Sequence, residues 1–88
     1  MIIVDGTIRA PWYDWNGRKY IEVTNEKSVT FRIKIPFRYG RVMARVEGIR
    51  PIQDLQLGET VQVSLDQKVW DGQEHWVLIA LKAHESNE

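Results

Sequence analysis

Cysteine is absent from this chain of 88 residues. That excludes a disulfide framework, a cysteine-ligated zinc site and a thiolate nucleophile. Histidine is scarce, with only His75 and His84, and neither stands at metal-ligand spacing from carboxylates. No metal and no other cofactor is therefore implied. No glycine-rich phosphate loop occurs, and no Ser, His and Asp fall in an order that suggests a catalytic triad. An enzymatic role is not expected. Apolar runs of about 18 residues are lacking, so no membrane-spanning helix and no membrane partner are expected. The opening Met1-Ile2-Ile3-Val4 is interrupted at once by Asp5-Gly6, too soon for a signal peptide. The expected location is the cytoplasm, of the protein's own cell or of an infected host.

Net charge is also missing: 12 Lys+Arg balance 12 Asp+Glu. A zero total argues against coating nucleic acid by bulk charge. The balance hides an asymmetry. Residues 31–50 carry Arg32, Lys34, Arg38, Arg41, Arg45 and Arg50 against Glu47 alone. Residues 51–88 carry Lys68 and Lys82 against seven acids. A local basic face remains compatible with the sequence.

What is present is period-2 patterning, the mark of half-buried strands. Phe31, Ile33 and Ile35 alternate with Arg32 and Lys34. Val61, Val63 and Leu65 alternate with Gln62 and Ser64. Residues 19–24 are a shorter version, and Val42, Ala44 and Val46 alternate with Met43, Arg45 and Glu47. Residues 2–10 read as a first strand, with Gly6 marking a bulge or bend. Residues 75–81 are apolar on both faces, so one face, Trp76/Leu78/Ala80 or Val77/Ile79/Leu81, is core. Asn16-Gly17 and Asp71-Gly72 are hairpin signals, since both turn positions need positive φ. Residues 48–57 form a link in which only residues 51–57 have room for a helix, of two turns at most, with a short 3₁₀ turn or an extended segment expected instead. A single domain over residues 1–83 is expected, followed by a polar tail over residues 84–88.

Short, evenly spaced strands with little helix predict an all-β fold, a small five- to six-stranded antiparallel barrel. An OB-fold fits: a bent first strand, a meander, a link over residues 48–57 and a closing hairpin from residues 59–68 and 74–83. A small barrel of another topology, or a sandwich-like domain, also fits. The chain opens Met1-Ile2-Ile3-Val4 and contains Leu55-Gln56-Leu57-Gly58-Glu59-Thr60-Val61-Gln62-Val63. In these features and its architecture it resembles the small OB-fold single-stranded-DNA-binding proteins of phages and mobile elements. The resemblance implies the barrel and single-strand binding; it transfers no functional residue by motif.

Two sets of residues carry candidate chemistry. Single strands are held by bases stacking on aromatic rings while cations track the phosphates. Trp12, Tyr13, Trp15, Arg18 and Tyr20 lie in or beside the first turn region, and Phe37, Arg38, Tyr39 and Arg41 in a second. Arg32 and Lys34 face outward from the third strand, and Arg45 is expected to join them from the next. The bland alternative is that the rings plug the barrel ends and the cations only keep a sheet face solvated. The second set is Trp70, Trp76 and Leu78. If Val77/Ile79/Leu81 is the core, these residues form an exposed apolar patch, the mark of a protein interface. The first expectation is thus a non-catalytic protein binding single-stranded DNA or RNA with little sequence preference. The second is an interaction module: a homodimer, or an accessory subunit or inhibitor docking on a larger replication or transcription complex.

Overall fold

The computed structural model of the protein describes residues 1–48 and 51–83. The expected tail over residues 84–88 lies outside the described residues, as do Ile49 and Arg50. The chain runs β1 (Ile2–Trp15), β2 (Arg18–Asn25) and β3 (Thr30–Ile35) as an antiparallel meander. A small hairpin, β4 (Phe37–Arg38) and β5 (Arg41–Val42), and a short β6 (Arg45–Glu47) follow. A 3₁₀ turn (Ile52–Asp54) leads to β7 (Thr60–Trp70) and β8 (Gln73–Ala83), which pair antiparallel. β7 also pairs with the first half of β1, from Ile2 opposite Leu65 to Thr7 opposite Thr60. β8 returns to β3 in parallel, Ile33 beside Trp76 and Lys34 beside Val77. The order β3-β2-β1-β7-β8, closed by β3 on β8, is an OB-fold-like barrel. β6 adds an extra strand, parallel to the far end of β8. Among the described residues no helix is long and apolar enough to cross a membrane.

The bent first strand makes closure possible. Gly6 lies between two partners, Asn25 of β2 and Val61 of β7. A Cβ built there would stand 2.3 Å from the Thr24 carbonyl oxygen, so the sheet closes only on a residue without a side chain. β1 runs five residues further than the sequence pattern indicated. Irregular pairing on both sides of Ala10 takes up Pro11, which has no N–H to give a ladder.

Inward positions match the alternation. Val4, Ile8, Ile21, Val23, Ile33, Ile35, Val61, Val63 and Leu65 form the core, and Ile52 and Leu55 of the link join them. Each such side chain contributes roughly 1.5–3 kcal/mol by leaving water. Val42, Ala44 and Val46 keep their inward face although the chain there divides into β5 and β6. Both expected hairpin turns form: Asn16 and Gly17 have φ of 54° and 74°, Asp71 and Gly72 of 52° and 71°.

In β8 neither single face is the core. Ser64 pairs with Ala80, but Leu65 pairs with Leu78, so Ile79 is an extra residue. This bulge inverts the alternation. Before it, Trp76 and Leu78 point inward; after it, Leu81 and Ala83 do. Leu78 has no exposed surface, whereas Ile79 is 39% exposed.

Candidate functional site

Two-residue turns fix cross-strand neighbours. The turn at Asn16-Gly17 sets Trp15 opposite Arg18 and Tyr13 opposite Tyr20. The β2–β3 register then sets Tyr20 opposite Lys34 and Glu22 opposite Arg32. Tyr13, Trp15, Arg18, Tyr20, Glu22, Arg32 and Lys34 thereby meet on the outer face of the barrel. Asp14 secures the turn by accepting from the Gly17 N–H at 3.1 Å and by pairing with Lys19. The Lys19 hydrogen bond holds the Asp14 carboxyl below its ordinary value.

Tyr20 lies at the centre of this face and is nonetheless only 3% exposed. Tyr13 stacks on it with centroids 5.7 Å apart, and Trp15 meets it edge-on at 6.0 Å. The Arg32 guanidinium lies 3.9 Å from the Trp15 ring centre and 4.6 Å from that of Tyr20. Such contacts contribute about 0.5–2 kcal/mol each, more where water is excluded. Tyr13 donates from its hydroxyl to Glu22 Oε2 at 2.7 Å. Its pKa is pushed up to about 12, first by burial and then by this bond to an anion.

The closing hairpin supplies the opposite wall. Trp70 and His75 stack flat at 3.7 Å. His75 Nε2 is buried with no hydrogen-bond partner. Arg18 and Lys34 approach the Trp70 ring at 5.8 and 5.0 Å. The tips of the first and last hairpins are thus bridged by cations held on one indole. Between them lies a cleft of about 280 Å³ lined by Trp15, Tyr20, Arg32, Gln73, Glu74, His75 and Trp76.

The cations of this face are not neutralised from within. Among the described residues the salt bridges are Lys19–Asp14, Arg45–Glu47 and the amino terminus with Asp66. Arg18, Arg32, Lys34, Arg38 and Arg41 make none. A second aromatic group stands on the β4–β5 hairpin. Phe37 meets Trp12 edge-on at 5.9 Å, and Tyr39, 89% exposed at the tip, carries Arg38 5.2 Å from its ring centre. Tyr39 takes a φ of 52° ahead of Gly40, a conformation costly for a bulky side chain.

Several expectations are corrected. Trp12 is half-buried against the core, a plug rather than a platform, because it faces opposite to Tyr13. Arg45 does not join Arg32 and Lys34. β6 pairs with β8 beside Ala80, not with β3, and Arg45 binds Glu47 at 3.1 Å. Trp70, Trp76 and Leu78 do not form an exposed patch. The β8 bulge sends Leu78 into the core, Trp76 packs edge-on against Phe31 at 5.6 Å, and Trp70 belongs to the cationic face. Glu74 and His75 were missed as site residues; counting outward from the Asp71-Gly72 turn would have found His75, which falls opposite Lys68. Tyr13, one of the first turn's aromatics, falls opposite Tyr20 and stacks on it.

Compared with protein-family models, curated proteins and solved structures, the chain matches none.

Proposed function

We propose that this protein binds single-stranded nucleic acid, DNA or RNA, without catalysing a reaction on it and with little sequence preference along most of the strand. The observation that supports this most is the outer face of β2 and β3. Arg18, Arg32 and Lys34 lie there among Trp15, Tyr20 and Trp70 with no carboxylate partner. Phosphates have cations to meet, and bases have ring faces to meet once a cation moves aside. Arg32 over Trp15 serves both states: the guanidinium covers the indole in the free protein and turns to a phosphate in the complex. Arg38, Tyr39 and Arg41 on the β4–β5 hairpin extend the contact.

The test is a titration of oligo-dT followed by tryptophan fluorescence at several salt concentrations. Binding should weaken as salt rises, because phosphate contacts release counterions. Arg32→Ala with Lys34→Ala should reduce the log–log salt slope by about 0.7 per lost contact. No response up to about 10⁻⁴ M, the weak end of non-specific binding, would overturn the reading.

A further inference from the structure

The cleft between the hairpins holds a group that phosphate tracking does not use. Its volume, about 280 Å³, is at the low end for small-ligand sites and suits one ring system. Trp15, Tyr20 and Trp76 give it aromatic walls, and Arg32 stands at its edge. From β8 comes Glu74. Gln67 Nε2 donates to Glu74 Oε2 at 3.1 Å, which orients the carboxylate. The other carboxylate oxygen takes no hydrogen bond among the described residues, and Oε2 has a second lone pair to offer.

A carboxylate in a groove for phosphates weakens binding unless it meets a donor. Ionised, it only accepts, and it accepts best from two adjacent N–H groups. Guanine alone among the bases presents such a pair on its Watson–Crick edge, N1–H beside the N2 amine. Adenine and cytosine offer one amine next to an acceptor. Thymine and uracil offer one imide N–H between two carbonyls. We infer that the cleft is a single-base site that prefers guanine, which stacks on Trp15, sets its Watson–Crick edge against Glu74 and leaves its phosphate to Arg32. This rests on the single-strand reading above and adds one position of base readout to it.

Fluorescence anisotropy tests it with labelled oligo-dT and the same oligomer carrying one central dG, deoxyinosine, dA or dC. The dG oligomer should bind about tenfold tighter than oligo-dT, as expected for one bidentate base contact. Deoxyinosine keeps N1–H but lacks the N2 amine and should fall between them. Glu74→Gln, a change at an exposed side chain, should bring dG within about twofold of dT while the salt slope stays unchanged. Removing the negative charge can tighten every oligomer, so the dG-to-dT ratio is the readout. Equal, salt-dependent binding of all oligomers overturns the guanine site and leaves the single-strand reading standing. So does a dG preference that survives Glu74→Gln. Binding of no oligomer overturns both.

Discussion

Tyr13 shows how one side chain reports on the face it belongs to. Its phenol is covered by neighbouring rings and donates to Glu22, and both effects favour the neutral form. The folded-state value, about 12, lies above the ordinary 10.0. The contribution of the neutral phenol to stability is therefore whole below pH 10 and is lost as pH rises toward 12. Absorbance titration of tyrosinate, with Tyr13→Phe to assign the transition, should show a late-titrating tyrosine. Glu22→Gln should lower that transition only part of the way, because burial, the larger cause, remains. An unchanged transition in Glu22→Gln would contradict the hydrogen bond.

Among the elements, β8 is the most instructive. Its sequence is apolar on both faces, so periodicity alone left two candidate cores. The bulge opposite Ser64 and Leu65 takes inward residues from each: Trp76 and Leu78 before it, Leu81 after it. Leu78→Ser should therefore destabilise the protein by about 2–5 kcal/mol in chemical denaturation. Ile79→Ser, one residue along and on the outer face, should change stability by no more than about 0.5 kcal/mol. Equal losses at the two positions would mean that the bulge is misplaced. Elsewhere the elements were legible. The Asn-Gly and Asp-Gly turns, the outward Arg32 and Lys34, and the core faces of β2, β3 and β7 follow from turn chemistry and alternation. β1 was read too short because Pro11 imitates a strand end, and the bulges that accommodate it depend on the partner strand.

At the scale of the whole molecule, the barrel brings distant segments together. Arg18 and Trp70 are far apart in sequence and sit on opposite hairpins, yet closure of β8 on β3 sets them side by side. Sequence reasoning places them in different sets, because nothing in the sequence links the last hairpin to the basic strip. The same closure places Glu74 at the mouth of the cleft. The basic strip was visible in composition; its continuity with the last hairpin is a property of the fold.

The most direct measurement is a nuclear magnetic resonance titration of the labelled protein with oligo-dT. The largest shifts should fall on the indole N–H signals of Trp15 and Trp70 and on the backbone of β2, β3 and the two hairpin tips between them. The Trp12 indole and the β6 backbone should barely move. Shifts centred on β6 and the outer face of β1 and β7, or no shifts at all, would contradict the assignment of this face as the binding surface.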